Sequence, residues 1–457
     1  MNRVIGRSAI LMILVIALTV GCVLFTGEFL LCSKDWVMTE GSPHIYTDYS
    51  AVCGTVTDRN GFVLLDTQNG RVYSQNLLVN RSVIHWLGDR DGFIYAPTIA
   101  YYAKKMTKFD PINGLYAYGN DKGVVELTLS AKVQAAALEA LGERKGVVAV
   151  YNYQTGELLC AVSNPSYDPD DVPDISSDTD GTWDGVYLNR FLKAVYPPGS
   201  IFKIVTLAAA LEAIPDVEEQ IFHCAGETAY GIDKVTCLKE HGDLNLEAAF
   251  LNSCNCAFAA IADQLGGETL QQYADMLGVG ATFSFDGVSS VAGSIQSKTE
   301  APVMVAWSAI GQHKDLVNPC QFLNLMGAIA GGGSAGSMHF VSSITGGGWG
   351  DYVAPEQKTE PILSAETAAL LVKYMRNNVE NYYGDENFEG LTVCAKSGTA
   401  ELGADLEPNS MFSGFVTDEE YPLAFIVVVE NGGSGRKTCV PILSEVLAAC
   451  KEVFDQE

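Results

Sequence analysis

The pattern of strand-like and helix-like runs along the chain predicts an α+β fold, one antiparallel sheet covered by helices. Three observations carry this reading. β-rich runs at 147–151 and 158–162 flank Asn152-Tyr153-Gln154-Thr155-Gly156-Glu157, a hairpin turn by composition. Strand-like runs return only near the far end, at Leu391–Ala395, Met411–Val416 and Leu423–Val429. Between them lies a largely helical stretch from Ser200 to about Leu277, and Ile442–Phe454 reads as a closing helix. Strands gathered at both ends with helices between suit one helix-covered sheet better than repeated βαβ units.

Taken in order, the chain opens with a short tail, 1–8, and an apolar stretch, 9–31. Ala9–Phe25 carries no charge over 17 residues, and apolar character resumes at Phe29-Leu30-Leu31, enough for a membrane span. Arg3 and Arg7 precede it and no basic cluster follows, so the positive-inside rule places the N-terminus in the cytoplasm and the rest outside. Thr19-Val20-Gly21-Cys22 faintly resembles a lipoprotein cleavage site. Apolar sequence continues beyond Cys22, however, which favours an uncleaved anchor over a signal peptide. Residues 32–120 mix short apolar stretches with turns and read as an irregular β-rich pedestal. Within it, His85–Gly92 reads as a loop and Asp110-Pro111-Ile112-Asn113-Gly114 as a turn cluster. The main domain spans 121–457, beginning with a helix that Ser130 caps and that carries Val133, Ala136, Ala137 and Leu141.

Composition narrows the classes. A chain of 457 residues exceeds one ordinary core. Hydrophobic content of 48% argues against general disorder. A net charge of −27 argues against a nucleic-acid partner, because phosphate binding needs surplus Lys and Arg. Twelve cysteines are scattered, in a chain too large to depend on disulfides. Cys224 and Cys237 are spaced to close a loop, while Cys224, Cys237, His241 and Cys254 supply donors suited to tetrahedral zinc without the tight Cys-x-x-Cys signature. The Gly-rich stretches 327–336 and 345–350 lack a Gly-Lys-Ser/Thr ending and read as turns.

The most specific stretch is Pro197-Pro198-Gly199-Ser200-Ile201-Phe202-Lys203, at the mouth of the apolar run Ile204–Ile214. Positions i and i+3 share a helix face, so Lys203 can reach the Ser200 hydroxyl. Serine is inert near neutral pH without a base beside it, and an amine is able to be that base. A cation in an apolar helix is costly unless paired or neutral, so burial favours an uncharged Lys203. Ser253-Cys254-Asn255 follows 53 residues after Ser200, and Lys396-Ser397-Gly398-Thr399 follows 143 residues after Ser253. Each motif alone is common, and Ser253 or Asn255 alone would read as helix caps. The ordered triple is far more specific.

With these motifs the chain resembles a class B penicillin-binding protein, a monofunctional peptidoglycan D,D-transpeptidase of the serine penicillin-binding and β-lactamase superfamily. Thr57-Asp58-Arg59-Asn60-Gly61, Ser163–Pro169, Gly311-Gln312 and Glu430–Gly435 extend the likeness over nearly the whole chain. Ile201 stands where Thr is more usual, and Met411-Phe412 where Trp-Phe is. Neither difference removes a reacting group.

The resemblance implies acyl transfer from a D-Ala-D-Ala stem peptide through an ester on Ser200, with Lys203 as base. It implies that Ser253 relays a proton and that Asn255 holds the substrate backbone. Lys396, Ser397, Gly398 and Thr399 then serve the substrate, with the Ser200 and Thr399 amides as oxyanion donors and β-lactams as covalent ligands. No metal or organic cofactor is implied for the reaction. Residues 32–120 correspond to a pedestal or dimerisation-like domain, and the expected partner is a multi-span glycan polymerase in division, elongation or sporulation. Rival readings are a D,D-carboxypeptidase or a β-lactamase of the same superfamily and, in another class, a β-lactam sensor or non-catalytic cell-wall scaffold. A β-lactamase needs a water-activating group, often Glu, and no such motif stands between Ser253 and Lys396.

Overall fold

The computed structural model describes residues 2–37, 54–67, 71–98, 101–102, 108–110, 114–116, 123–346, 351–403 and 406–456. Helix α1, Asn2–Val37, contains the apolar run. Val4–Ser33 is long and apolar enough to cross a membrane, and its most apolar stretch is exposed. The 30 residues rise about 45 Å, more than the ~30 Å hydrocarbon core. The helix overruns the predicted 9–31 because nothing in the flanks stops it.

Strands Thr55–Thr57, Val63–Asp66 and Val72–Tyr73 join Val124–Leu127, Val341–Thr345 and Tyr352–Val353 in one six-stranded sheet. The expected boundary at 120/121 lies outside the described residues, and strands from either side of it share this sheet, Thr55–Thr57 pairing in parallel with Val124–Leu127. The loop expected at His85–Gly92 begins later. His85–Leu87 complete helix α2, Leu77–Leu87, which Asn76 caps and Gly88 ends. Trp86 and Leu87 are fully buried, and that packing overrides the local polarity. Asp110 and Gly114 flank the turn of a hairpin formed by Lys108–Asp110 and Gly114–Tyr116. Residues 111–113 of the predicted turn and 347–350 of the second Gly-rich stretch lie outside the described residues.

Ser130 caps helix α3, Ala131–Leu141, as predicted. Asp58 ties the N-terminal region to it: Oδ2 accepts from the Ala131 amide, while Oδ1 accepts from Asn60 and Phe62.

The main sheet has five strands, β1 (Gly146–Asn152), β2 (Leu158–Asn164), β3 (Val393–Ala400), β4 (Asn409–Val416) and β5 (Leu423–Val429), in the order β3-β4-β5-β1-β2. Every neighbouring pair is antiparallel. Alternate residues face opposite cores, as the two-residue period of a strand requires. Val147, Ala149, Ala424 and Ile426 face the larger core, and Val148, Val150, Phe425 and Val427 the smaller. Helix α4, Lys203–Ala213, lies in the larger core with α5 (Leu246–Leu251), α6 (Asn255–Met276), α7 (Pro319–Ala330) and α8 (Ala365–Asn378). The smaller core is closed by α3 and by α9, Gly435–Phe454. The predicted α+β sandwich is present.

Three local expectations need correction. After a 3₁₀ turn at Val217–Glu219, the stretch between α4 and α5 is not helical: Ile221–Cys224 pairs with Gly242–Asn245, and Glu227–Tyr230 pairs with Asp233–Thr236. Only four of those sixteen residues are buried, too few for an apolar period to mark them as strands. Strand β3 continues through Ala400, so the third motif lies inside a strand rather than at its end. The closing helix begins at Gly435, not Ile442, because Ser434 caps it and Pro441 faces solvent, where water can solvate the carbonyl that proline leaves unpaired.

Candidate active site

Ser200 occupies a 3₁₀ turn, Gly199–Phe202, that runs straight into α4. Gly199 has φ +54°, and a Cβ there would lie 2.7 Å from the Thr399 carbonyl oxygen. Both conformation and contact therefore call for glycine. A Cβ on Gly398 would in turn lie 2.7 Å from the Pro198 carbonyl oxygen. One glycine in each motif thus lets the turn and strand β3 touch.

Lys203 projects back along the first helical turn and is fully buried. Its Nζ lies 3.2 Å from Ser200 Oγ, 3.1 Å from Ser253 Oγ, 2.6 Å from the Ser253 carbonyl oxygen and 2.7 Å from Asn255 Oδ1. An ammonium has three protons for these four neighbours. A neutral amine fits them differently: its two N–H groups serve the two shortest contacts, and its lone pair is left for a hydroxyl. Burial favours that state, holding the Lys203 pKa down to about 7.

Ser253 follows α5 with φ +50°, a left-handed conformation that is strained for a non-glycine residue. Cys254 caps α6, and Asn255 opens it. The Asn255 carboxamide spans two elements, since Oδ1 accepts from Lys203 and Nδ2 donates to the Thr236 carbonyl. The second Nδ2 proton remains for a substrate carbonyl.

Lys396 is buried beneath the same hydroxyl. Its Nζ lies 3.1 Å from Ser253 Oγ and 3.0 Å from the Ser397 carbonyl oxygen. Burial first, and then the neighbouring Lys203, push its pKa well below the ordinary lysine value. The Ser397 hydroxyl meets Tyr383 Oη at 2.9 Å, and the Ser397 amide donates to that oxygen at 2.7 Å. Strand β3 is the sheet edge, and the Val393 and Ala395 carbonyls also face outward, to Arg376 and Asn378. Residues of the same parity share an edge, so the Thr399 amide points outward as well, towards the Ser200 turn.

Ser200, Ser253, Asn255, Lys396, Ser397 and Thr399 line one cavity of about 450 Å³. Lys203 lies beneath it, and Gly398 packs against the turn. The three motifs therefore converge from positions far apart in the chain. Sequence reasoning missed Tyr383, Trp307 and Arg436, which also line the cavity. The Arg436 guanidinium carbon sits 4.5 Å from the centre of the Tyr382 ring. Arg436 follows the Gly432–Gly435 segment singled out above, whereas no local pattern marks Tyr383. The departures at Ile201 and Met411 are fully buried packing positions, as is Phe412 beside them. Met411 pairs with Gly398, and Phe412 meets Tyr383 edge-on with ring centres 5.0 Å apart.

Residues 146–448 match the family described as the penicillin binding protein transpeptidase domain. The chain belongs to that family. Among curated relatives, the peptidoglycan D,D-transpeptidase PbpA of Mycolicibacterium smegmatis is 28% identical over 363 residues, 72% of this chain and 72% of the relative. PbpA of Mycobacterium tuberculosis is 26% identical over 408 residues, 78% of this chain and 82% of the relative. The D,D-transpeptidase domain of a peptidoglycan glycosyltransferase from Eggerthella lenta superposes with a TM-score of 0.71 at 25% identity, covering 88% of this chain and 98% of that one. The penicillin G acyl-enzyme complex of M. tuberculosis penicillin-binding protein A gives 0.72 at 23% identity, covering 88% and 100%, a likeness of fold. The membership agrees with the resemblance drawn from the motifs, and among the described residues α1 is the one helix long and apolar enough to cross a membrane.

Proposed function

We propose that the protein is a peptidoglycan D,D-transpeptidase acting through a serine acyl-enzyme. The observation that carries this reading is the buried Lys203 amine, 3.2 Å from Ser200 Oγ and held by Ser253 and Asn255. Neutral Lys203 takes the Ser200 proton as Oγ attacks the carbonyl carbon of the penultimate D-Ala. The amides of Ser200 and Thr399 receive the developing oxyanion, a contribution worth about 10²–10³ in rate per donor. The C–N bond breaks, and a proton passes through Ser253 to the departing D-Ala amine. A stem-peptide amine then attacks the ester, loses its proton to the same base and restores Ser200. A β-lactam acylates Ser200 by the same first step, its ring C–N bond opening.

Lys396 and Thr399 serve the substrate carboxylate, Ser397 and Gly398 set the strand edge, and Asn255 orients the substrate backbone. The tail is cytoplasmic and the catalytic domain, 121–457, extracytoplasmic, as supported by Arg3 and Arg7 ahead of the apolar helix. Residues 32–120 form the pedestal, and the working partner is a multi-span glycan polymerase.

The test is mass spectrometry of muropeptides made by the full-length protein in detergent from uncross-linked glycan. Cross-linked dimers that vanish with Ser200→Ala support the reading. Trimmed monomers alone identify a carboxypeptidase, and rapid turnover of a chromogenic cephalosporin a β-lactamase.

A further inference from the structure

The segment between α4 and α5 bears on the site from outside the three motifs. Thr236, Cys237, Leu238, Lys239 and His241 form one wall of the Ser200 cavity. Its two small hairpins have little core of their own. Phe222, Cys224, Val235 and Leu244 are buried, but Ile221, Ile232 and Leu238 are largely exposed. Units this small ordinarily need a staple or a metal to hold one conformation.

The segment has such a centre. Cys224 at the end of a strand, Cys237 and His241 in the loop after the second hairpin, and Cys254 at the cap of α6 bring their donor atoms within 4.8 Å of one another. Cys224 Sγ and Cys237 Sγ each lie 3.5 Å from His241 Nδ1, and Cys237 Sγ lies 3.9 Å from Cys254 Sγ. A tetrahedral zinc ion with bonds of about 2.3 Å to sulfur and 2.0–2.1 Å to nitrogen sets ligand edges of about 3.8 Å for S···S and 3.6 Å for S···N. These three edges match, and the donor atoms of the other pairs lie within 4.8 Å. The Asn255 amide donates to Cys237 Sγ at 3.3 Å and the Ala257 amide to Cys254 Sγ at 3.5 Å, hydrogen bonds that suit thiolates.

We propose that Cys224, Cys237, His241 and Cys254 bind one structural zinc ion. Three thiolates and an imidazole close the tetrahedron, leaving no open position for substrate or water. The ion is structural, so the reaction itself remains that of Ser200 and Lys203. Because Cys254 lies between Ser253 and Asn255, the ion braces the second motif and the cavity wall together. The sequence supplied the four donors, but their spacing alone was too irregular to assign them.

The test is elemental analysis of the full-length protein purified in detergent without chelator. About one zinc per chain is expected. Cys224→Ser and His241→Ala should each lose it, whereas Cys160→Ser, in the core on the far side of the sheet, should keep it. Should either ligand variant fail to fold, cobalt loaded into chelated parent protein decides the matter, through the intense thiolate-to-metal absorption of a three-sulfur site. Metal-free protein with free thiols, a Cys237–Cys254 disulfide in its place, zinc retained by both ligand variants, or cobalt without thiolate absorption would each overturn the proposal.

Discussion

Lys203 and Lys396 meet at one oxygen: Ser253 Oγ lies 3.1 Å from each Nζ. Two ammonium groups cannot share a buried hydroxyl at that distance without large repulsion, and burial lowers the proton affinity of both. The pair therefore works with at least one amine neutral. The Ser253 hydroxyl bridges them.

Replacing Lys203 with Met keeps much of the buried volume and removes the base. Acylation by penicillin should slow by about 10²–10⁴. Stopped-flow or gel-based labelling rates check this, with circular dichroism to confirm the fold. Lys203→Arg should fail as badly, since guanidinium stays charged.

The pH dependence follows from the same residue. Acylation needs the free amine, so its rate should rise through about pH 7 and level off above. Stability carries a linked signature. Below about 7 both folded and unfolded chains hold the proton, and the cost of the buried cation is fully present. Between about 7 and 10.5 only the unfolded chain retains the proton, so stability rises with pH across that window. The melting advantage of Lys203→Met over the parent should accordingly shrink as pH rises from 7 to 10.

Gly398→Ala would place a methyl 2.7 Å from the Pro198 carbonyl oxygen. Backbone is the obstacle, so β3 and the Ser200 turn must part. Acylation should fall by about tenfold or more, in line with the sensitivity of catalysis to small misplacements. The melting temperature should drop only modestly. Labelling kinetics and thermal unfolding, measured together, separate the two effects.

Away from the chemistry, Arg190 donates to Glu430 Oε1 at 2.8 Å, and the Tyr196 hydroxyl donates to the same oxygen at 2.9 Å. The Arg190 side chain is 3% exposed. Glu430→Ala leaves that guanidinium buried with only the Asp184 and Gly185 carbonyls and no countercharge, and breaking a buried pair typically costs about 3–5 kcal/mol. Denaturant unfolding should show the loss, while chain that remains folded still labels with penicillin.

Much of this was legible in the residues. Strand β5 matches its predicted run end for end, because all its residues are apolar and Tyr421-Pro422 precedes it. Ser200, Lys203, Ser253 and Lys396, singled out by order and type, come together in the structure. What stayed hidden depends on contacts distant in sequence. Nothing near Tyr383 predicts its bond to Ser397, and nothing near Thr236 predicts that its carbonyl anchors Asn255. The hairpins at 221–245 escaped because a partly exposed segment has no apolar period to read.

The most direct measurement is peptide-level mass spectrometry of the full-length protein after brief exposure to penicillin. A single adduct of the intact drug mass on Ser200, absent from Ser200→Ala and strongly reduced in Lys203→Met, is expected. An adduct on another residue, or equal labelling of Ser200→Ala and parent, would contradict the assignment of Ser200 as nucleophile and Lys203 as its base.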